Sequence, residues 1–336
     1  MHKVAHSGVT VHAGINIALV KYWGKVDSKQ NLPAVGSVSL TLSEPGTTTT
    51  VRFDPALDED VFELDGVTSV DPRVSALLDG VRQAASSTRR ASVQSVNTVP
   101  TAAGLASSAS GFAALGLAAW RAAQLPVHGP GSGFDLSPNA NFDPRLLDLV
   151  RRGSGSAPRS LLGGFARLEA GTGALSAVRP DGEWDLRLVI GLTVAGPKPW
   201  SSRDGMDLSK ETSPYYDAWV ASHPADLDAA CDAIRRRDLR ALGEVMEHST
   251  LKMHACMLAT RPPLRYWASA TLAALDVIDT LRRDGILVYA TMDAGPHVKA
   301  LCAAVDADRV REALSPVCRQ VLVCQPGPGA VPGASL

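Results

Sequence analysis

The most constraining feature of the sequence is a small-residue stretch from Asn97 to Leu115, which reads NTVPTAAGLASSASGFAAL. An alternating run, ASVQSVNTV, leads into it and predicts a strand, and the alanine-rich continuation predicts a helix that begins near Ser107 and Ser108. The first turn of a helix exposes unpaired N–H groups and the positive end of the helix dipole. Glycine and serine leave that backbone accessible, so the stretch predicts a strand–loop–helix unit suited to binding a phosphate.

Two interpretations of this stretch remain open from its residues alone. A serine-capped helix that packs closely through small residues explains the same composition, and short glycine–serine motifs have many chance matches, which favours that structural interpretation. The sequence contains no GxxxxGK[ST] motif, so the common P-loop is excluded. A cation that neutralises phosphates must therefore come from another part of the chain.

Three short motifs supply candidate cations. INIALVKYWGK contains Lys21 and Lys25, SGSAPRS contains Arg159, and SSRDGM contains Arg203. The two lysines would share a face if their segment is helical, and would point apart if it is a strand followed by a turn. Each motif alone is typical of an ordinary surface.

One carboxylate accompanies these cations. Asp293 lies in TMDAGP, where an apolar strand ends at a Gly/Pro turn and a side chain can project into a cleft. A glycine-rich loop, several cations and a well-placed carboxylate together favour phosphoryl transfer, in which positioning and charge neutralisation dominate catalysis.

Length and composition limit the other classes of function. The 336 residues predict two domains, and 33 basic against 34 acidic residues, without a basic block, predict no nucleic-acid partner. No apolar run approaches the roughly 20 residues of a membrane span, and the N-terminal residues lack a signal-like apolar core. Five scattered cysteines without a CxxC pair predict reduced thiols and a cytoplasmic location, rather than a disulfide framework or zinc site.

The hydrophobic pattern predicts a mixture of sheet and helix, either α/β or α+β. Val74, Leu77, Leu78 and Val81 have helical spacing, and the turn residues Glu44–Gly46 predict a hairpin between two strands. A Gly/Pro-rich stretch before Glu183–Asp185 predicts a boundary between domains at residues 1–184 and 185–336.

Six motifs together resemble the mevalonate diphosphate decarboxylase family of the GHMP kinase superfamily. They occur in the family's order between Asn16 and Pro296: NIALVKYWGK, PTAAGLASSASGFAAL, RRGSGSAPRSLLGGF, SSRDGM…TSPYYDAW, KMHACML and TMDAGP. The resemblance implies an α+β protein with an N-terminal domain like ribosomal protein S5 domain 2, a C-terminal ferredoxin-like domain, and the active site in the cleft between them. It also implies ATP-dependent decarboxylation of (R)-5-diphosphomevalonate to isopentenyl diphosphate, with Mg²⁺ as cofactor, and a homodimer.

The resemblance also implies roles for matching residues. Asp293 would be the base at the C3 hydroxyl, Lys21 would neutralise phosphoryl charge, and Arg159 would clamp the substrate carboxylate with Asn16 beside it. The diphosphate would be bound by Tyr22, Lys25, Ser154, Gly155, Ser156, Ser202 and Arg203. ATP would be bound by Gly104, Leu105, Ala106, Ser107, Ser108 and Ser110, with Ser107 and Ser108 also serving the metal.

The sequence departs from the family pattern at four positions. Val35 and Gly36 replace residues that are commonly polar, Pro158 replaces a small residue or cysteine, and His297 replaces an asparagine. His297 follows Asp293 by four residues and would either shift the pH dependence or be a tolerated surface histidine, which is the favoured interpretation.

Three alternative functions are considered. A kinase of the same superfamily would phosphorylate without decarboxylating, but the combination of Lys21, Arg159 and Asp293 argues against it. A decarboxylase that prefers the monophosphate is disfavoured by Tyr22, Lys25 and Arg203. A ligand-sensing regulator is disfavoured because the acidic base is present and no DNA-binding segment is visible.

Overall fold

The computed structural model describes residues 8–98, 107–127, 142–194 and 200–334. Its strands are β1 (Val9–Val20), β2 (Lys25–Asp27), β3 (Leu32–Pro33), β4 (Ser37–Asp54), β5 (Val61–Leu64), β6 (Val67–Thr68), β7 (Arg90–Asn97), β8 (Phe165–Leu168), β9 (Leu175–Val178), β10 (Leu186–Leu192), β11 (Val288–Thr291), β12 (Val298–Ala303), β13 (Gln320–Cys324) and β14 (Val331–Pro332). Its α-helices are α1 (Pro72–Ala85), α2 (Ser107–Ala122), α3 (Pro144–Gly153), α4 (Ser202–Thr212), α5 (Tyr216–Arg235), α6 (Leu239–Leu258), α7 (Ser269–Arg283) and α8 (Ala307–Leu314), with short 3₁₀ helices at Ala157–Leu161 and Ala304–Asp306. This arrangement is α+β.

The strands form two main sheets. The first has eight strands in the order β14-β1-β4-β7-β5-β6, with β8 pairing with β4 and β9 with β8, and the second has four in the order β11-β12-β10-β13. The change from one sheet to the other falls between β9 and β10, whereas β14 returns to pair with β1. The division at residues 184 and 185 stays a prediction.

Strand β4 replaces the hairpin that the turn residues predict, so that prediction is wrong. It runs unbroken through Glu44–Gly46, because β1 pairs with both of its halves: residues 9–14 of β1 lie opposite residues 46–51, and residues 16–20 lie opposite residues 38–41. The register shifts after Gly14, where a side chain would collide with the Leu42 carbonyl oxygen, 1.8 Å from an ideal Cβ. The Pro-Gly pair is therefore absorbed as an irregularity within one long strand.

The helical face predicted for residues 74–81 is confirmed. Val74, Leu77, Leu78 and Val81 are buried on α1, and Asp71 caps the helix by accepting a hydrogen bond from the Arg73 N–H. Helices α1 and α2 share a core with Val11 and Ala13 of β1. The predicted strand before the small-residue stretch is β7, and the helix after it begins at Ser107.

A second core joins the two sheets. Ile15, Ile17 and Leu19 of β1 pack there with residues of β10, α5 and α6, such as Leu188, Ile234 and Leu242. The end of β1 and the turn between β11 and β12 are consequently held together. The candidate site lies at this junction.

Candidate active site

A cavity of about 600 Å³ opens where the end of β1, the start of α2, the segment before the first 3₁₀ helix, the start of α4 and the β11–β12 turn meet. Among the residues that line it are thirteen of the predicted site residues: Asn16, Lys21, Tyr22, Lys25, Ser107, Ser108, Ser154, Gly155, Ser156, Arg159, Ser202, Arg203 and Asp293. Tertiary structure thus gathers motifs separated by up to 277 residues around one space.

Four predicted residues have a different status. Gly104, Leu105 and Ala106 lie outside the described residues. Ser110 is fully buried, where its hydroxyl bonds with the Thr47 hydroxyl at 2.8 Å and donates to the Ser107 carbonyl oxygen at 3.2 Å. Ser110 therefore anchors α2 to β4, because its position in the first helical turn points toward the sheet.

The lining is strongly cationic. Within the described part of the chain, Lys21, Lys25, Arg73, Arg159 and Arg203 line the cavity, and Asp293 is the carboxylate that faces them. An excess of positive charge in a concave site concentrates anionic ligands. The cavity is thus suited to a substrate that carries several negative charges.

Asp293 is bracketed by two lysines. Lys21 Nζ lies 3.2 Å from Asp293 Oδ1, and Lys299 Nζ lies 2.8 Å from Asp293 Oδ2. Both lysines are almost completely buried, at 1% and 2% exposure, whereas the Asp293 side chain keeps 28% of its surface exposed. The carboxylate is thereby held by cations and remains accessible from the cavity.

Sequence reasoning missed Lys299. It lies within the otherwise apolar strand VKALCA, opposite Thr291 of β11, and this pairing brings it back toward Asp293. A lysine inside an apolar strand is the signal that could have identified it, because an isolated buried charge is costly.

Lys21 and Lys25 both reach the cavity although their segment is not helical. Lys21 follows β1, Lys25 begins β2, and Gly24 between them has φ of 100°. A side chain at Gly24 would lie 2.2 Å from the Tyr216 hydroxyl, so this tight turn requires glycine. The segment is a strand followed by a turn, which is the second of the two alternatives, and both lysines line the cavity.

Both lysines titrate well below their usual range. Burial lowers the pKa of Lys21 to about 8; the Asp293 charge opposes this shift and the Lys299 charge adds to it. Burial, with the charge of Arg203, lowers the pKa of Lys25 to about 8. An anionic ligand would favour the protonated form of each.

Arg159 is oriented by two buried hydrogen-bond acceptors. Its Nε donates to Asn16 Oδ1 at 2.9 Å, and its Nη1 donates to the Ser37 hydroxyl at 2.6 Å. Asn16 is fixed in turn, since its Nδ2 donates to the Ser160 hydroxyl at 2.7 Å. Burial lowers the pKa of Arg159 to about 10, so the guanidinium stays charged near neutral pH. Sequence reasoning missed Ser37, which carries no local signal.

Tyr22 lies against the Gly153–Ser156 segment at the wall of the cavity. The Tyr22 hydroxyl is buried without a hydrogen-bond partner among the described residues, and burial raises its pKa to about 12, so it remains a donor. A Cβ at Gly155 would lie 2.4 Å from that hydroxyl, which makes glycine necessary there. Ser154 and Ser108 approach within 3.4 Å through their hydroxyls.

A smaller cleft of about 180 Å³ adjoins the cavity at α2. Phe62, Phe112 and Asn97 line it, and Ser107, Ser108 and Arg73 line both spaces. The Arg73 guanidinium lies 5.0 Å from the centre of the Phe112 ring and pairs with Asp71. An apolar cleft next to a helix N-terminus can hold a flat ring joined to phosphates.

The departures from the family pattern have structural explanations at all four positions. His297 is buried, at 3% exposure, and accepts a hydrogen bond at Nδ1 from the Thr193 N–H at 3.2 Å, so the surface interpretation is wrong. Val35 packs in an apolar cluster with Trp23 and Trp219. A Cβ at Gly36 would lie 2.6 Å from Leu227 Cδ2 and 3.1 Å from the Leu168 carbonyl oxygen, so a side chain there would be crowded. Pro158 lies in the first turn of the 3₁₀ helix Ala157–Leu161, where the missing N–H of proline is tolerated.

Family models match most of the chain. A model of the diphosphomevalonate decarboxylase-like N-terminal domain matches residues 13–178, and a model of the mevalonate 5-diphosphate decarboxylase C-terminal domain matches residues 188–325. The TMDAGP motif and the cationic lining residues lie within these two ranges.

Individual relatives agree with these models. The diphosphomevalonate decarboxylase of Candida albicans is 32% identical over 90% of this chain and 86% of its own length, and the phosphomevalonate decarboxylase of Haloferax volcanii is 30% identical over 88% and 89%. A solved structure of MDDEF in complex with MVAPP, AMPPCP and magnesium has 39% sequence identity and a TM-score of 0.86, and the match covers 98% of this chain and 99% of that one.

Proposed function

The chain belongs to the diphosphomevalonate decarboxylase family, and we propose that its cavity carries out ATP-dependent decarboxylation of (R)-5-diphosphomevalonate to isopentenyl diphosphate, with release of ADP, phosphate and CO₂. The protein has the two-domain α+β fold of the GHMP kinase superfamily. The observation that carries the proposal is the placement of Asp293, between two buried lysines, at the wall of a cationic cavity that also contains Arg159.

Asp293 acts as the base in the first step. Its ionised carboxylate accepts a hydrogen bond from the C3 hydroxyl of the substrate and takes up the proton as the γ-phosphoryl group is transferred to that oxygen. The transition state of phosphoryl transfer is loose and needs little early proton removal, so an ordinary carboxylate suffices. Lys21 is close enough to neutralise charge on the same side of the cavity.

Arg159 positions the substrate carboxylate for the second step. When the 3-phosphate leaves, the electrons of the C1–C2 bond form the new double bond and the C1 carboxylate departs as CO₂. An arginine–carboxylate pair stabilises the ground state most, because the carboxylate charge disappears during the reaction, so its contribution is orientation. The hydrogen bonds to Asn16 and Ser37 hold the guanidinium for this purpose.

The diphosphate is bound in the part of the cavity that is lined by Lys25, Arg203 and the Tyr22 hydroxyl, with the backbone of residues 154–156. Support comes from their shared lining of the cavity and from the buried, unpartnered Tyr22 hydroxyl, which is available to an acceptor. A diphosphate carries more negative charge than a monophosphate, and two cations with a protonated phenol suit the larger charge. Ser202 extends this group at the start of α4.

ATP is bound at the N-terminus of α2. Ser107 and Ser108 are exposed there, at the passage between the cavity and the smaller cleft, so the phosphates can lie at the helix N-terminus with the base against Phe62 and Phe112. The described residues contain no cluster of three His, Cys, Asp or Glu side chains that would hold a metal by itself. Mg²⁺, which commonly keeps waters and binds through nucleotide phosphates, fits the hydroxyls of Ser107 and Ser108 and would neutralise phosphate charge when bound.

We further propose that the enzyme is a homodimer and cytoplasmic. The dimer rests on the family resemblance, and the location rests on five cysteines that are all free in the structure. Among the described helices, none combines the length and hydrophobicity that crossing a bilayer requires. Sedimentation equilibrium of the purified protein tests the dimer, and localisation of the tagged protein in its host tests the compartment.

The test of the function is a product assay. Purified protein is mixed with ATP, Mg²⁺ and diphosphomevalonate, and isopentenyl diphosphate, CO₂ and ADP are measured together. Equal formation of all three supports the proposal. ADP without CO₂ would instead indicate a kinase, turnover confined to the monophosphate would indicate a phosphomevalonate decarboxylase, and binding without any turnover would indicate a sensor.

A further inference from the structure

Lys299 lies behind Asp293 and away from the cavity. Strand β12 is central in the second sheet, where Lys299 pairs with Ile190 on one side and Thr291 on the other. Its neighbours Val298 and Ala300 point into the core formed with α7 and α8. Lys299 shares the opposite face with Leu301, which packs in the core that joins the two sheets. It does not appear among the residues that line the cavity, whereas Asp293 and Lys21 do.

The two lysines differ in what surrounds their amines. Lys299 Nζ donates to Asp293 Oδ2 at 2.8 Å from a rigid strand. Lys21 Nζ lies 3.2 Å from Asp293 Oδ1, donates to the Ala18 carbonyl oxygen at 2.7 Å, and belongs to the segment after β1. Lys299 therefore makes the shorter contact with Asp293, and Lys21 is the one of the two lysines that lines the cavity.

A buried lysine in this position carries a cost in stability. Removing an ammonium group from water costs several kcal/mol, and apolar side chains of similar volume often replace buried ion pairs without loss of stability. Apolar cores flank β12 on both faces, with the buried Thr291 beside Lys299. Retention of the charge beside the reacting carboxylate points to a role in the reaction.

Other charged or titratable groups face Asp293 from the remaining elements. Arg159 approaches from the 3₁₀ helix, and its charge interacts with Asp293, while its Nε and Nη1 donate hydrogen bonds to Asn16 and Ser37. His254 approaches from α6; burial lowers its pKa to about 3, so it is neutral and offers no compensating charge. Lys21 and Lys299 each form an ion pair with the carboxylate.

We propose that Lys299 is a positioning residue that remains paired with Asp293 throughout the reaction, so that Lys21 can direct its charge to the transferred phosphoryl group. With Lys21 alone, one ammonium would have to balance both the base and the phosphoryl oxygens. Lys299 also fixes the rotation of the carboxylate, so that Oδ1 remains accessible to the substrate hydroxyl. This inference rests on the proposed function and extends it to a residue outside the cavity.

The test compares Lys299→Met and Lys299→Gln with Lys252→Met. Both Lys299 variants remove the charge, and the glutamine variant retains a hydrogen-bond donor if methionine does not fold. Lys252 is a matched control, because it forms a 2.6 Å ion pair with Asp226, both partly buried, outside the cavity lining. We expect kcat of the Lys299 variants to fall about tenfold or more, as for other residues that orient a reacting group, with KM for both substrates within about twofold. Lys252→Met should match wild type.

A pH profile distinguishes positioning from damage to the fold. It is measured on protein that carries Lys25→Arg, so that Lys21 sets the alkaline limb of kcat/KM. Loss of the Lys299 charge raises the pKa of Lys21, because the two like charges repel. The alkaline limb should therefore move to higher pH in Lys299→Met or Lys299→Gln, a shift that a general loss of packing does not produce.

Several outcomes would overturn the inference. The first is an unchanged kcat in folded Lys299 variants, and the second is a rise in KM that matches the loss of kcat. The third is an alkaline limb that does not move. The fourth is failure of both variants to fold, because the pairing of Asp293 with Lys21 should suffice for folding. Each of these leaves wild-type product formation intact. An inactive wild-type enzyme would instead refute the proposed function.

Discussion

The Nε of Arg159 donates a 2.9 Å hydrogen bond to Asn16 Oδ1, which joins buried side chains 143 residues apart in the chain. With the bond from Nη1 to Ser37, two sites of the planar guanidinium are already fixed before a substrate enters. The remaining N–H groups of the guanidinium can bind a carboxylate in one orientation.

Arg159→Lys should therefore be a poor substitute. A lysine amine is a compact point charge that cannot reproduce the planar fork, so we expect turnover to fall about 100-fold or more while the ATP dissociation constant changes little. Steady-state kinetics and ATP titration provide the measurement, with Arg167→Lys, whose guanidinium pairs with Glu169, as the control. Equal losses in ATP binding and turnover would assign Arg159 to the nucleotide.

Asp293→Asn should preserve the fold and most substrate affinity but lower turnover about 10³-fold or more. The amide is isosteric but lacks the negative charge and cannot take up the hydroxyl proton. Single-turnover measurements with circular dichroism as the folding check test this. Near-wild-type turnover in the folded variant would remove Asp293 from the proton transfer.

Arg203→Ala should strongly raise KM for diphosphomevalonate, change KM for ATP little, and narrow the preference for the diphosphate over the monophosphate. Arg203 and Lys25 are close enough for their charges to repel, and both line the cavity. Values of kcat/KM for both substrates test the assignment, with Arg235→Ala, an exposed arginine paired with Asp232, as control. A collapse of ATP affinity with unchanged substrate preference would place Arg203 on the nucleotide side.

Activity should decline as pH rises through about 8. The lowered pKa values of Lys21 and Lys25 mean that both amines lose charge well below the ordinary lysine value of 10.5. The Lys21 contribution to folding stability changes with pH in the direction opposite to activity. The unfolded state binds more protons than the folded state between about pH 8 and 10.5, so this contribution increases with pH in that window.

Parallel measurements of kcat/KM and of the urea midpoint across this range separate lost charge from unfolding. We expect activity to fall where the urea midpoint does not. Lys25→Arg should retain the positive charge at that position above pH 8. The remaining alkaline limb of kcat/KM is then set by Lys21. An alkaline limb that coincides with global unfolding would contradict the assignment to these lysines.

Gly36→Ala should lower the free energy of unfolding by about 1–3 kcal/mol, as other overpacked substitutions do. The added Cβ would lie 2.6 Å from Leu227 Cδ2 and 3.1 Å from the Leu168 carbonyl oxygen. Gly111→Ala is the control: apart from its chain neighbours and the backbone of its own helix, no atom lies within 4 Å of its Cβ, and alanine favours the helix by up to about 1 kcal/mol. Urea unfolding measures the free energy of unfolding of both variants. Similar values for the two would show that Leu227 moves aside freely.

The local sequence pattern determined several helices and strands of this protein. Helical spacing placed Val74 and Leu78 on the buried face of α1, the serines marked the start of α2 at Ser107, and the apolar run before Asp293 predicted a strand that ends at the base. These features depend on periodicity and on residues adjacent in the chain. The resemblance, carried by short motifs, supplied the residues that the structure then gathers around the cavity.

Tertiary structure determined the features that depend on contacts between residues far apart in the chain. The pairing of β12 with β11 places Lys299 beside Asp293, and Ser37 contacts Arg159 although 122 residues separate them in the chain. Pairing with β1 along both halves makes β4 one long strand in place of the expected hairpin. His297 became buried because the backbone of Thr193 lies against it. Burial, strand register and charge pairing arise only when separate segments meet, so the sequence determined which groups were available, and packing determined which of them share a contact.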